Sequence, residues 1–346
     1  MKPADVLHAR LRSHRLSAPA KSVVDAADHM LAVQSQDFVA GRWALGVRTR
    51  GEPTQRAVDA AFGQGALVRA WAMRGTLHIV PARDLSWVLS VTAPRQRQQA
   101  AGRHRDLGID DRVVDAARGA LRPALADGGC TRAEAFDLLR GVGIDPSAQR
   151  GIHLLFTLTI NGEICQGPID EQSGQQRFVA TESWIRDAAQ PDDPLAELFV
   201  RYIEGHGPAG VRDFAWWSGL TLGVAREAVE RARDRLREIE ADVFCAVRSP
   251  RRSVSEDTAF ALPAFDEYYI SYADRSATCD PEHAAIVGPG KNGMVYPMVL
   301  GQARVVGTWS HAQATRAAPA QLFDGRAQTP EIEAALARFM RFSQAS

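Results

Sequence analysis

The sequence predicts an α+β fold, mainly α, with three tandem winged helix-turn-helix units and a carboxy-terminal β-hairpin-rich segment. Two observations predict this fold. Stretches with a helical period are followed three times by short stretches that alternate like strands, which is the element order of a winged helix. This order then breaks in the last third of the 346 residues. The expected segments are residues 1–108, 109–190, 191–258 and 259–346.

The third unit has the clearest pattern. Gly205-His206-Gly207-Pro208 stops its first helix, and Gly219 lies in the turn before its last helix, because glycine and proline interrupt helices. The predicted elements are helices over residues 194–203, 211–217 and 222–237 and a strand over residues 242–247.

The two preceding units repeat this order of elements. In the second unit, Thr131 and Glu134 have the spacing of a capping box, and Asp145-Pro146-Ser147 is expected to open a third helix. Its predicted elements are helices over residues 111–126, 131–140 and 145–160 and strands over 162–167 and 176–180. Those of the first unit are helices over residues 22–33 and 54–62 and strands over 67–73 and 77–80, around the turn Arg74-Gly75-Thr76.

The carboxy-terminal segment differs from the three units. Residues 262–272 bring two acids and three tyrosines together. The glycine-rich run at residues 288–293 matches neither common phosphate-binding glycine pattern, so we interpret it as a hairpin turn. Strands are predicted over residues 294–300 and 303–309, and a closing helix over residues 330–342.

Composition and charge narrow the class of protein. The chain is 45% apolar and 24% charged, and its 41 basic side chains balance 41 acidic ones. Between Gly41 and Arg105, however, eleven arginines accompany three acids, so this block either binds a polyanion or forms a solvated surface. The four cysteines are widely spaced, which argues against zinc sites and disulfides. With no membrane-length apolar run and no signal region, we expect a soluble, cytoplasmic protein.

One short motif stands out near the amino terminus. Gln34 and Gln36 place two neutral amides two residues apart, on either side of Ser35. On a helix, residues two apart face nearly opposite ways, whereas on an extended backbone they share a side. We interpret the pair as leaving a helix into a loop and pointing together at a target. A polar helix terminus is the alternative.

Three stretches, Gln34-Ser35-Gln36, residues 69–78 and residues 262–275, resemble the AlkZ-like family of winged-helix DNA glycosylases, whose relatives include the bacterial YcaQ proteins. The resemblance implies a concave DNA-binding surface and excision of bulky N7-alkylguanine, including interstrand crosslinks, often as self-resistance to a DNA-alkylating natural product. It also implies that Gln34 and Gln36 are catalytic, with Ser35 where the family has an aliphatic residue. The expected partner is double-stranded DNA carrying alkylated guanine, and we expect a monomer that needs no cofactor and no metal.

The chemistry of an amide pair fits such a substrate. Alkylation at N7 makes guanine cationic and therefore a good leaving group that needs no general acid. The enzyme must then stabilise the sugar cation and place a water at C1′, and amides can hold a water although they are poor bases. We expect Gln36 to orient the water and Gln34 to assist it or to contact the DNA backbone. No lysine near the motif suggests a Schiff base, so no lyase activity is expected.

The roles of several other residues are inferred from their type and from their neighbours in the sequence. His78 is either a DNA contact or a structural histidine, and Asp266 and Glu267 are either a carboxylate pair that stabilises the sugar cation or structural groups, with Arg275 as the expected cationic partner. Tyr268 and Trp309 line a lesion cleft or fill the core. The expected DNA contacts are Arg42, Arg69, Arg74, His78, Lys291 and Asn292. The expected residues of the lesion cleft or its surroundings are Ser35, Trp71, Asp266, Glu267, Tyr268, Arg275 and Trp309.

Two other classes of protein share this fold. A winged-helix transcription regulator would read sequence with its third helices, and a binding protein would sequester a drug on the same scaffold. The regulator would have no use for the glutamine pair.

Overall fold

The computed structural model describes residues 2–248, 258–288, 293–310 and 319–344. Its α-helices are α1 Pro3–Ser13, α2 Val23–Met30, α3 Phe38–Val47, α4 Gln55–Gly63, α5 Leu85–Asp106, α6 Asp111–Ala126, α7 Arg132–Gly141, α8 Arg150–Ile160, α9 Thr181–Trp184, α10 Pro194–His206, α11 Val211–Ser218, α12 Leu222–Ala232, α13 Glu267–Ile270, α14 Pro281–Val287 and α15 Pro330–Gln344. Its strands are β1 Val33–Gln34, β2 Leu67–Met73, β3 Thr76–Pro81, β4 Ile164–Ile169, β5 Gln176–Ala180, β6 Ala209–Gly210, β7 Arg237–Glu240, β8 Val243–Cys245, β9 Phe260–Leu262, β10 Met298–Gly301, β11 Arg304–Thr308 and β12 Gln321–Leu322.

The chain divides into two compact units. The first unit contains residues 1–58 and 195–346, and the second contains residues 59–194. Helices dominate and the sheets are small and antiparallel, so the predicted α+β, mainly α fold class is confirmed. The predicted four-segment division stays a prediction. Among the described residues, no helix has the length and apolar character needed to cross a membrane.

The second unit contains a winged helix built from α6, α7, α8 and the β4–β5 hairpin. Thr131 and Glu134 form the predicted capping box, in which the Thr131 backbone N–H donates to Glu134 Oε2 at 2.7 Å. The third helix begins at Arg150 and not at residue 145, because Ala148 and Gln149 have φ values of +50° and +75° and cannot continue a right-handed helix. Strands β3, β2, β4 and β5 lie side by side in that order.

The first unit contains a second winged helix, formed by α10, α11, α12 and strands β6, β8 and β7. Gly219 ends α11 with a φ of +74°, a conformation that favours glycine. The predicted third helix is too long, since α12 ends at Ala232 and a short 3₁₀ turn leads into β7. The predicted strand over residues 242–247 shortens to β8.

The carboxy-terminal segment forms an antiparallel sheet in the order β12, β11, β10, β9. The strand predicted from residue 294 begins at Met298. Helix α14 precedes the glycine-rich run and is absent from the predicted elements. Residues 289–292 of the predicted hairpin turn lie outside the described residues. The closing helix α15 packs on α3, where Phe342 lies 5.1 Å from the ring of Trp43.

Two aromatic residues expected to line a cleft or fill the core are in the core of the first unit. Tyr268 is fully buried and its hydroxyl donates to the Ala303 carbonyl at 2.8 Å. Trp309 is 3% exposed, donates to the Leu262 carbonyl at 2.7 Å and lies 4.9 Å from the ring of Phe339. Both polar atoms are paired with backbone carbonyls, as buried aromatic residues require. These contacts support the core role.

A buried ion pair joins α3 to the start of α13. The guanidinium of Arg48 donates to both carboxylate oxygens of Asp266, at 2.7 and 2.8 Å, and both side chains are completely buried. Asp266 also caps α13 by accepting from the Tyr268 backbone N–H at 2.9 Å. The expectation that Arg275 is the partner of Asp266 is therefore wrong. The Arg275 guanidinium lies instead over the ring of Tyr269, at 4.9 Å.

Removing one member of this pair should destabilise the protein strongly, because the other charge would stay buried without compensation. We expect Asp266→Asn to lower the free energy of unfolding by about 3–5 kcal/mol. The exposed pair of Glu52 and Arg341 is the matched control, and Glu52→Gln should cost less than about 1 kcal/mol. Urea unfolding of the two variants measures the difference, and equal small losses would contradict the structural role of Asp266.

Two histidines near α1 are neutral, the buried His14 and the half-buried His29. Tyr272 donates its only hydroxyl proton to the His206 carbonyl at 2.6 Å, so it accepts from His14 Nε2 at 2.8 Å. The pKa of His14 lies well below 6.5. Burial is the largest cause, and the nearby His206 and Arg48 lower it further. His29 donates to the Ser13 carbonyl at 2.7 Å, and burial followed by Arg15 lowers its pKa to about 3.

These histidines should make the protein less stable in mild acid. Below pH about 6.5 each takes up a proton only in the unfolded chain, so the free energy of unfolding falls as pH decreases, by up to ~1.4 kcal/mol per pH unit for each histidine. Urea unfolding between pH 6.5 and 5, where most carboxylates remain ionised, measures this slope. His29→Gln should reduce the slope; an unchanged slope would show that His29 titrates normally.

Candidate active site

The glutamine pair lies between two helices of the first unit. α2 ends at Met30, earlier than predicted, because Leu31 has a φ of +61°. The chain then runs through the extended residues of β1 into Ser35 and Gln36, and Asp37 caps α3 by accepting from the Ala40 backbone N–H at 3.1 Å. The prediction that the chain leaves the helix before the pair is confirmed.

The two amides differ in exposure. Gln34 is 8% exposed and Ser35 is 1% exposed, whereas Gln36 is exposed. An exposed amide next to a buried one lets Gln36 reach a ligand while Gln34 belongs to the packed structure. Ser35 is buried, as an aliphatic residue at this position of the family pattern would be. It differs from an aliphatic residue in carrying a polar hydroxyl.

Glu267 holds the backbone at the motif. Its Oε1 accepts from the Gln34 backbone N–H at 2.8 Å, across 233 residues of sequence. Its Oε2 accepts from Trp217 Nε1 at 3.2 Å and from the Ser271 hydroxyl. A carboxylate that is 0% exposed needs such donors, because desolvation of the charge is otherwise costly. The hydrogen bonds to Glu267 therefore define where Gln34 sits.

A histidine completes the surroundings of Glu267. His206 is fully buried, its Nδ1 donates to the Tyr202 carbonyl at 3.0 Å, and its ring stacks on that of Tyr202 at 4.9 Å. Its Nε2 lies 3.7 Å from Glu267 Oε2. Sequence reasoning missed His206, Trp217 and Arg48. No local signal in the sequence links them to the motif, because they come from distant elements.

Arg42 is the expected DNA contact in the described part of the first unit. It lies on α3, one turn after Phe38, and its guanidinium is 4.4 Å from the centre of the Phe38 ring. Lys291 and Asn292 lie outside the described residues, so their expected contacts with DNA stay predictions.

In the second unit, the expected DNA contacts lie on the β2–β3 hairpin. Arg69 pairs across the strands with Ile79, and Ala70 with His78, so Arg69 and His78 project from opposite faces of the hairpin. Arg69 donates to Gln166 Oε1 at 2.8 Å. Arg74 occupies the turn with a φ of +57°.

His78 has the geometry of a structural histidine. It is completely buried, and its Nδ1 donates to the Thr76 carbonyl at 2.9 Å. In the neutral ring this leaves Nε2 as an acceptor, and Arg74 Nη2 lies 3.2 Å from it. These bonds favour the structural interpretation of His78 over a direct contact with DNA.

The other expected residue of this unit is Trp71, which is 6% exposed and lies 6.0 Å from the ring of Phe156. Gln96 on α5 was missed by sequence reasoning. Its amide donates to the Trp71 carbonyl and accepts from the Gly75 backbone N–H, both at 3.0 Å, so it ties the hairpin turn to the helix.

The geometry offers an amide pair. Within the described ranges, no three His, Cys, Asp or Glu side chains are placed to hold a metal ion. Asp266 is neutralised by Arg48, and Glu267 is surrounded by protein donors. Both carboxylates thus support the motif from within the core, which favours their structural role over direct contact with a sugar cation.

Comparison with known proteins gives consistent matches. The family model described as DNA glycosylase AlkZ-like matches residues 27–342. A curated relative from Streptomyces sahachiroi, an interstrand DNA cross-link repair glycosylase, is 24% identical over 310 residues, covering 83% of this chain and 82% of the relative. The solved structure of the Streptomyces sahachiroi DNA glycosylase AlkZ superposes with a TM-score of 0.79 at 22% identity, covering 99% of this chain and 97% of that one. Since the family model spans most of the sequence, this chain belongs to the AlkZ-like DNA glycosylase family.

Proposed function

We propose that this protein is a monofunctional DNA glycosylase that hydrolyses the N-glycosidic bond of bulky N7-alkylguanine, including interstrand crosslinks, and so protects DNA against an alkylating natural product. The observation that carries the proposal is the buried Gln34 held by Glu267 beside the exposed Gln36. The curated relative is a crosslink repair glycosylase by name, which supports the same class of substrate. The expected partner is double-stranded DNA carrying the alkylated guanine.

The amide pair suits a reaction whose leaving group is already activated. Because N7-alkylguanine departs as a neutral base, the enzyme has to position a water and tolerate positive charge on the sugar. In the proposed mechanism Gln36 orients the water at C1′, since it is exposed, and Gln34 assists it or contacts the DNA backbone. Positioning of this kind can remove several kcal/mol from a barrier without a strong base, as effective molarities show.

A lyase step is not part of the proposal. Lyase activity requires an amine that attacks C1′ and forms a Schiff base. The whole sequence contains only three lysines, Lys2, Lys21 and Lys291, and none of them is within twelve positions of Gln34. The product is therefore an abasic site in an intact strand.

The winged helices are poorly arranged for a transcription regulator. The third helix of one, α8, is covered by α5, as Arg97 donates to the Ile160 carbonyl at 3.2 Å and Arg103 to Gln149 at 3.0 Å. On the third helix of the other, α12, the exposed Glu227 and Glu230 pair with Arg231 and Arg233, so these arginines are partly neutralised. These features disfavour major-groove reading by either helix. A drug-sequestering protein would leave the DNA unaltered.

Removing either amide should abolish most of the activity. With a duplex carrying one bulky N7-alkylguanine, we expect wild-type protein to yield abasic sites, detected as strand breaks only after alkali treatment. Gln34→Ala and Gln36→Ala should each reduce single-turnover excision by roughly 100-fold or more, because the water loses its positioning group. The control is Gln64→Ala, which replaces an exposed glutamine directly after α4 and should not change the excision rate. If the wild-type protein leaves the DNA unaltered, the proposal that it is a DNA glycosylase is wrong.

Ser35→Ala separates two roles of the buried hydroxyl in the same assay. If the side chain only packs, excision should survive the substitution within about threefold, since positioning of the water is unchanged. A loss comparable with that of Gln36→Ala would place the hydroxyl among the groups that hold the water.

Glu267 is proposed as a positioning residue that acts through Gln34. Glu267→Ala should reduce the rate constant of excision by about tenfold or more while leaving DNA affinity unchanged, because the Gln34 backbone loses its acceptor. Glu267→Gln keeps one carbonyl oxygen and should recover part of the rate. The paired measurements are single-turnover rate and fluorescence anisotropy of a labelled duplex. Equal loss of affinity in both variants would indicate general disruption of the DNA-binding surface instead.

A further inference from the structure

The second unit contains a cavity that the proposed reaction does not use. It has a volume of about 630 Å³ and lies between α5, α8 and the β2–β3 turn. This volume is within the usual range for small-molecule sites, roughly 300–1,000 Å³. Its lining includes Trp71, Gln96, Arg103, Gln149, His153 and Phe156.

The chemistry of this lining is selective. Aromatic rings form one part of it: Phe156 lies 6.0 Å from Trp71 and 6.1 Å from His153. Burial and the nearby Arg103 lower the pKa of His153, so its ring is neutral and can stack on a flat partner. Its Nδ1 is buried and has no hydrogen-bond partner among the described residues, although it belongs to a ring on the cavity wall.

The polar side chains of the cavity are amides and cations. Gln96 is occupied by the hairpin turn, whereas Gln99 and Gln149 are exposed at the mouth. Arg103 is also exposed there and donates to Gln149 Oε1 at 3.0 Å. Among the residues that the structure describes, no acidic side chain lines the cavity. Amides offer a donor and an acceptor side by side, which matches the edge of a nucleobase, and arginine matches a phosphate.

We propose that this cavity holds an undamaged nucleobase that leaves the base stack of the DNA substrate, with the adjoining phosphate at Arg103. The inference rests on the proposed function, since it assumes that the substrate is DNA. Aromatic faces that stack an unpaired base, amides that meet its edge and a cation at the backbone form the usual combination for an unstacked nucleotide. The base is not the one being excised, because neither Gln34 nor Gln36 lines the cavity.

Photo-crosslinking tests the proposal directly. A duplex with one bulky N7-alkylguanine carries either 5-iodocytosine opposite the lesion or 5-iodouracil beside it on the same strand, and the irradiated complex is digested and analysed by mass spectrometry. We expect a crosslink to the peptide of Trp71 or of His153 and Phe156 from one of the two positions, which identifies the strand that supplies the base. Crosslinks confined to other peptides, or to none, would overturn the proposal.

Substitutions at the mouth supply the second measurement. Arg103→Ala and Gln149→Ala should each lower kcat/KM for excision about tenfold, by loss of one phosphate or base-edge contact. Arg105→Ala removes the same charge two positions along α5, outside the cavity lining, and should change kcat/KM less than twofold. Equal effects of Arg103→Ala and Arg105→Ala would show that Arg103 only attracts DNA by its charge. That result would overturn the proposal.

Failure of this inference is distinguishable from failure of the proposed function. If wild-type protein excises the bulky N7-alkylguanine but neither the crosslink nor the mouth variants behave as expected, only the nucleobase cavity is wrong. If wild-type protein leaves the lesion intact, the proposed function fails, and a crosslink at the cavity would still be measured on the bound duplex.

Discussion

The first unit depends on one buried carboxylate, that of Glu267. Three donors from different parts of the chain converge on it, and one of them is the backbone N–H of Gln34. A buried carboxylate is stable in a core only when hydrogen-bond donors replace the water around it. Losing any one of these donors is therefore costly, which fixes the position of each of them. The motif acquires a defined position from the core behind it, although its own backbone is short and irregular.

The neighbouring Asp266 solves the same problem by different means. Arg48 supplies a two-point ion pair, which neutralises the carboxylate and attaches α3 to α13. Two adjacent acids are therefore buried with separate sets of partners. The sequence left open whether the two acids stabilise the sugar cation or are structural groups, and their buried partners favour the structural role.

The sequence was informative wherever the signal was local. The helix of residues 111–126, the capping box at Thr131 and the β2–β3 hairpin follow from periodicity, capping and turn chemistry, and the structure contains them. The start of α8 was misjudged because the left-handed backbone at Ala148 and Gln149 has no glycine to mark it. Partners such as Arg48 for Asp266 were out of reach, since a sequence does not show which of 41 basic side chains meets a given acid across 218 residues.

The separation between Gln34 and Glu267 also has a temporal side. At ribosomal rates of about 5–20 residues per second, the 233 residues between them take roughly 10–50 s to synthesise. Throughout that interval the nascent chain exposes its glutamine motif without the carboxylate that positions it. The proposed active site is thus completed late, after the winged helices have been made, and a chain cut short before the last third carries the motif without Glu267.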